Sequence, residues 1–124
     1  MIYKTKAFQS IFKKTNLVDQ DLINACDEIE RGLVDADLGD YLYKKRVAMP
    51  GKGKSGSYRT MIGAVVGDKY FFLFMFAKSD RSNVSNKEKL ALQELAKELV
   101  DYDDEQLAKA INSGAIIRLE QDDE

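Results

Sequence analysis

Apolar residues recur along this chain with two different periods, and the switch between them divides the sequence. Ile2 to Thr5 reads as a short strand, after which Phe8, Ile11 and Phe12 fall at i, i+3 and i+4 and predict one face of a short helix. That helix ends on Lys13 and Lys14, cations suited to a helix C-terminus. A second helix is predicted from a cap at Asp19, with the stripe Leu22, Cys26, Ile29 and Leu33 and a stop at Gly32. Asp35 to Asp40 reads as a loop. From Leu42 the period becomes two: Leu42 to Ala48, Ser57 to Val66 and Lys69 to Ala77 predict strands, the last two joined by Gly67-Asp68, which fits a two-residue hairpin turn. Such a turn opposes residues whose numbers sum to that of the Val66 and Lys69 pair, setting Arg59 against Phe76 and Ser57 against Lys78. Tyr70 to Ala77 is apolar on both faces and is therefore placed centrally in the sheet.

The remainder reads as helical. Ser85 and Glu88 form a capping-box pattern ahead of the stripe Leu92, Leu95, Ala96 and Leu99, a helix expected to lie over the sheet. Asp103 caps a last helix through Leu107 and Ile111 that Gly114 ends, and Ala115 to Leu119 can add an edge strand or dock on the body. Runs of like elements, in place of strict alternation, predict an α+β fold: a small antiparallel sheet with N-terminal and C-terminal helices packed on it. The 124 residues suit one domain over 1–119, followed by a disordered acidic tail over 120–124.

Composition narrows the chemistry. The chain has no histidine and a single cysteine, Cys26, which removes the commonest general base, every Ser-His or Cys-His relay, an internal disulfide and any thiolate-cluster metal site. No metal ligand set and no cofactor is expected, and Cys26, on an apolar stripe, reads as a buried inert thiol. The longest apolar run, Tyr70 to Ala77, falls far short of the ~18 residues that span a bilayer. Met1-Ile2-Tyr3-Lys4 opens no signal peptide, so a cytoplasmic location without a membrane partner is expected.

Net charge is −2, but it is unevenly spread: residues 31–83 carry ten basic and five acidic side chains, while 84–124 carry five and eleven. Between Tyr41 and Arg59 stand Lys44, Lys45, Arg46, Lys52, Lys54 and Arg59 without one acid, the outline of a surface for a polyanion. Gly53-Lys54-Ser55 invites comparison with the phosphate-binding loop of nucleotide hydrolases, but Ala48 stands where that loop needs its first glycine, and a strand follows instead of a helix.

The segment Lys45-Arg46-Val47-Ala48-Met49-Pro50-Gly51-Lys52-Gly53-Lys54-Ser55-Gly56-Ser57-Tyr58-Arg59, taken with Phe72-Leu73-Phe74-Met75-Phe76-Ala77-Lys78-Ser79-Asp80-Arg81-Ser82-Asn83, resembles the RelE group of the RelE/ParE toxin superfamily over roughly residues 40–100. The resemblance implies a RelE-like toxin that cleaves messenger RNA, with translating ribosomes as its setting, a cognate antitoxin protein as partner, and lysine and arginine sets that work with little or no metal. In-line attack by a ribose 2′-hydroxyl needs a base, cations for the pentavalent phosphate and an acid for the leaving oxygen. Lysines are the proton carriers available here. Lys52 and Lys54 are the candidates for base and acid, Arg59 and Arg81 for charge stabilisation, and Lys44, Lys45, Arg46, Tyr58 and Lys78 for contacts to RNA, while Tyr58, alternating with Arg59, also reads as a residue pointing into the core. Arg59, opposite Phe76, is expected on the sheet face that the helices leave open. Two alternatives stand beside the ribonuclease: a ParE-like inhibitor that binds DNA gyrase without chemistry, and a non-catalytic RNA-binding or regulatory module of the same fold.

Overall fold

A computed structural model describes residues 1–49, 56–66 and 69–119, leaving aside the side chains of 64–66. The Gly67-Asp68 turn, the glycine-rich segment with Lys52 and Lys54, and the tail 120–124 lie outside the described residues. The elements run β1 (Ile2–Thr5), α1 (Lys6–Phe12), α2 (Asp19–Glu30), β2 (Ala36–Asp37), β3 (Leu42–Ala48), β4 (Ser57–Val66), β5 (Lys69–Ala77), α3 (Asn86–Val100), α4 (Asp104–Ser113) and β6 (Ile116–Arg118). They form one six-stranded sheet in the order β2-β3-β4-β5-β1-β6, an α+β arrangement with β5 inside the sheet as its two apolar faces require.

The sheet is mixed, where an antiparallel one was expected. β2 to β5 form the antiparallel run, but β1 lies parallel to β5 and antiparallel to β6. A parallel neighbour needs a long crossover, and everything from α1 to β4 supplies it. β6, the edge strand anticipated from Ala115 to Leu119, is fixed at both ends: the Lys6 N–H donates to Ala115 O and the Leu119 N–H to Ile2 O.

Helices cover both faces. On one, Phe8 and Phe12 of α1 and Leu22, Ala25, Cys26 and Ile29 of α2 pack with Val47, Ile62, Phe72 and Met75. On the other, Ala96 and Leu99 of α3 and Leu107 of α4 pack with Leu42, Met61, Phe71, Leu73 and Phe76. Gly63 sets the closeness of α3: a Cβ there would stand 2.9 Å from both the Ala96 Cβ and the Leu73 Cδ1.

The predicted register holds where it matters. Arg59 pairs with Phe76, Val66 with Lys69, and the Lys78 N–H donates to Ser57 O at 3.1 Å. Between them the register slips at Met61/Ile62, where Leu73 is left unpaired as a bulge, and returns before Val66. The bulge puts both Leu73 and Phe74 on the α3 side.

Capping follows the sequence at α3 and α4, through Ser85 with Glu88 and Asp103 with Gln106. At α2 it does not: Val18 is the N-cap, its N–H donates to Asp21 Oδ2, and Asp19 sits inside the helix and pairs with Lys4 at 3.3 Å. The helix ends at Glu30, Gly32 turns the chain with φ +85, and Leu33, expected on the buried stripe, is exposed. The expected loop at Asp35 to Asp40 contains β2 and enters a tight turn in which Gly39, Asp40 and Tyr41 all take positive φ. No helix among the described residues is long and apolar enough to cross a membrane.

Candidate nucleic-acid interface

Alternation along β3 and β4 sorts the basic residues onto two faces. Leu42 and Met61 lie under α3, so Lys44 and Arg46 on β3 and Arg59 and Ser57 on β4 share that side of the sheet. Val47 and Tyr58, which are Cα partners, belong with α1 and α2 on the other.

Arg46 and Arg59 are themselves Cα partners, and Phe76 is the partner of Arg59 on its far side. Two arginines directly opposed repel one another by up to about 1 kcal/mol. Arg46 is 61% exposed at its side chain, and its Nε lies 3.4 Å from Asp35 Oδ2 while its backbone N–H donates to Asp35 Oδ1. Arg59 is half-buried and donates from Nη1 to Ser57 Oγ; among the described residues no acid answers its charge. The expectation that Arg59 lies on a face free of helices is corrected: its face is the one that α3 covers further along, at Met61 and Gly63.

The chain leaves and re-enters the sheet beside this pair, because the Met49 N–H donates to Gly56 O at 3.2 Å. Lys52 and Lys54 belong to the intervening residues 50–55, which lie outside the described part. Lys44 is half-buried on the arginine face, and Lys78 is exposed at the end of β5.

Two of the anticipated RNA contacts are turned elsewhere. Lys45 points to the α2 face, with its side chain 8% exposed and Nζ 2.6 Å from Glu28 Oε1, so it pins α2 to β3 and its charge is already met. Tyr58 packs against the α1–α2 core, on the opposite face from Arg59. Alternation alone separates Lys45 from Arg46 and Tyr58 from Arg59, which a run of basic residues in sequence conceals.

Arg81 lies close to the pair but in different company. The turn after β5, closed by the Asp80 and Arg81 N–H groups donating to Ala77 O, brings its guanidinium carbon over the rings of Phe76 at 5.2 Å and Phe74 at 5.6 Å. Its Nη2 donates to both oxygens of Glu88 at 2.8 Å. Glu88 also accepts from the Ser85 N–H, and these bonds, the backbone one first, hold its carboxyl below the ordinary range. The sequence pattern shows Glu88 as a capping residue; that it also forks Arg81 was not visible, because the turn that brings them together is set by backbone bonds.

Other chemistry is absent from the described residues. No group of three or more acidic or cysteine side chains is placed to hold a metal. Cys26 is buried, and burial pushes its thiol up to about 12, which makes it inert. A cavity of about 520 Å³ between α2 and β3 meets the interface only at Arg46 and is lined also by Glu28 and Asp35, carboxylates unsuited to a polyanion.

In a search of curated proteins no relative matches the chain. The family profile described as the RelE toxin of the RelE/RelB toxin-antitoxin system matches residues 1–119. That match spans every element of the sheet and all four helices, and the chain therefore belongs to the RelE toxin family.

Proposed function

We propose that the protein is an endoribonuclease that cleaves messenger RNA, working in the cytoplasm on translating ribosomes, within a single domain over residues 1–119. Membership of the family makes it the toxin of a toxin–antitoxin pair and implies an antitoxin as partner. The observation that carries the enzymatic reading is the opposed pair Arg46 and Arg59, a repulsive arrangement with no described acid on Arg59, which an intervening phosphate would relieve.

In this scheme a neutral lysine of the pair Lys52 and Lys54 takes the proton of a ribose 2′-hydroxyl, and the oxygen attacks the adjacent phosphorus. Arg59, with Arg46 beside it, meets the charge that grows on the non-bridging oxygens. The phosphorus–O5′ bond breaks, and the other, protonated lysine gives its proton to the leaving O5′. The products are a 2′,3′-cyclic phosphate and a 5′-hydroxyl, and the scheme uses no metal. Lys44 and Lys78 flank the arginines and serve the RNA backbone.

The test is cleavage of an end-labelled messenger by the purified protein, with and without ribosomes. Cyclic-phosphate ends in either condition support the reading, as does their loss in Arg59→Ala with an unchanged circular-dichroism spectrum. Charge reversal of Lys52 and Lys54 to Glu should flatten the salt dependence of RNA binding by about 0.7 or more in log–log slope for each phosphate no longer neutralised. Intact RNA in both conditions, combined with inhibition of DNA gyrase, would replace the ribonuclease with the ParE-like alternative.

A further inference from the structure

We propose that Arg81 is the stacking platform for an unpaired nucleobase of the bound RNA. The proposal rests on the RNA-binding reading above and changes the role of this arginine, which the sequence suggested as a cation for the phosphate.

Three observations separate Arg81 from Arg59. Its charge is answered, since both Glu88 oxygens lie 2.8 Å from Nη2, whereas no described acid faces Arg59. A phosphate approaching Arg81 would meet that carboxylate as well, and two anions on one guanidinium repel. Its position is fixed from below, where the rings of Phe74 and Phe76, 6.4 Å apart and inclined at 41°, carry the guanidinium carbon. It is also fixed from the side, because Glu88 is held in turn by the Ser85 N–H at 2.8 Å and returns its own N–H to Ser85 Oγ at the start of α3. Yet 39% of the side chain is exposed. A planar cation with an aromatic floor, an occupied edge and an open remainder has lost most of its use as a charge and kept its use as a flat surface.

Unpaired bases of RNA stack on guanidinium planes as readily as on aromatic rings. The position suits one, because Phe76 beneath Arg81 is the cross-strand partner of Arg59. A base on Arg81 would therefore lie over the strand next to the row that takes the phosphate. Phosphate and base of one bound strand are then read by neighbouring arginines with different chemistry.

The experiment uses the full chain and a short oligoribonucleotide whose 2′-hydroxyls are methylated, so that it is not cleaved. 2-Aminopurine, or an abasic residue, replaces each position in turn. At one position the 2-aminopurine fluorescence should be quenched on binding, and the abasic substitution there should weaken binding about 5- to 150-fold, the range for one stacked base. Arg81→Lys keeps the charge but not the plane: it should abolish the quenching and the abasic penalty while leaving the salt slope unchanged. Glu88→Gln, which retains a capping side chain, frees Arg81 as a cation and should steepen the slope while shrinking the abasic penalty. An abasic penalty that survives in Arg81→Lys overturns the platform and leaves the RNA reading intact. Absence of RNA binding by the unaltered protein overturns both.

Discussion

Lys45 and Arg46 are adjacent in sequence and point to opposite faces, so changing each should have effects of different kinds. The Lys45 side chain is 8% exposed and its partner Glu28 is 42% exposed, which makes the ion pair asymmetric. Glu28→Gln leaves an ammonium in the interior facing a neutral amide. Removing one partner of a fully buried pair costs about 3–5 kcal/mol, and since this pair opens on solvent at the acid, about 2 kcal/mol is expected. For a domain of this size that lowers Tm by roughly 6–10 °C. Lys45→Met takes away the buried charge, keeps a side chain of similar length and lets Glu28 rehydrate, so its cost should stay within about 1 kcal/mol. Neither change touches the arginine face, and log Kd against log salt for single-stranded RNA should keep its slope in both. Arg46→Met should lower that slope by about 0.7, the share of a single phosphate. Thermal unfolding and filter binding over a salt series supply both quantities. The assignment fails if Lys45→Met costs as much as Glu28→Gln, or if it flattens the slope as Arg46→Met does.

At Gly63, a Cβ would already stand 2.9 Å from Ala96 Cβ and Leu73 Cδ1, so Gly63→Val should push α3 off β4 and cost about 1–3 kcal/mol; an unchanged urea midpoint would contradict the close packing. The Cys26 thiol is raised by burial from 9.0 to about 12, so its contribution to stability is intact below pH 9 and lost as the pH climbs toward 12. Urea midpoints over that window should fall more steeply in the wild type than in Cys26→Ala. Tyr70, raised first by burial and then by its bond to Glu30, adds a loss of the same sign that Tyr70→Phe removes.

Strand ends were legible because the residues that bound them are chemically abrupt. Leu42–Ala48 and Ser57–Val66 stop at glycine-bearing segments, and Lys69–Ala77 spans an apolar run that Lys78 closes. The bulge at Leu73 was hidden by the same property that made β5 look central: with every position from Tyr70 to Ala77 apolar, a skipped residue leaves no break in the pattern. Parallel pairing of β1 was equally invisible, since four residues carry no record of strand direction. The run of basic residues was legible along the chain, and its division between two faces was not. Lys45 was grouped with Arg46 by proximity in sequence, and period two divides them, as it divides Arg59 from Tyr58, whose alternation did point it into the core. The pairing of Glu88 with Arg81 went unnoticed because its capping role already explained that glutamate.

Arg59 ended on a helix-covered face although its cross-strand partner was read correctly, and the reason ties the core to the interface. Along β3 the positions facing α3 run from Leu42, wholly buried, through half-buried Lys44 to exposed Arg46. Along β4 they run from Gly63 and wholly buried Met61 to half-buried Arg59. The same alternate positions that take the weight of α3 at one end of the sheet therefore carry cations at the other, with Arg59 the next position on that face after Met61. Rigidity at the arginines needs no separate scaffold, because the same face of the same strands is already packed under α3. Substitutions at Leu42 or Met61 should consequently act through unfolding, while those at Arg46 or Arg59 act on RNA with the sheet intact. That division follows from register alone, because Leu42 is the partner of Gly63, Lys44 of Met61 and Arg46 of Arg59.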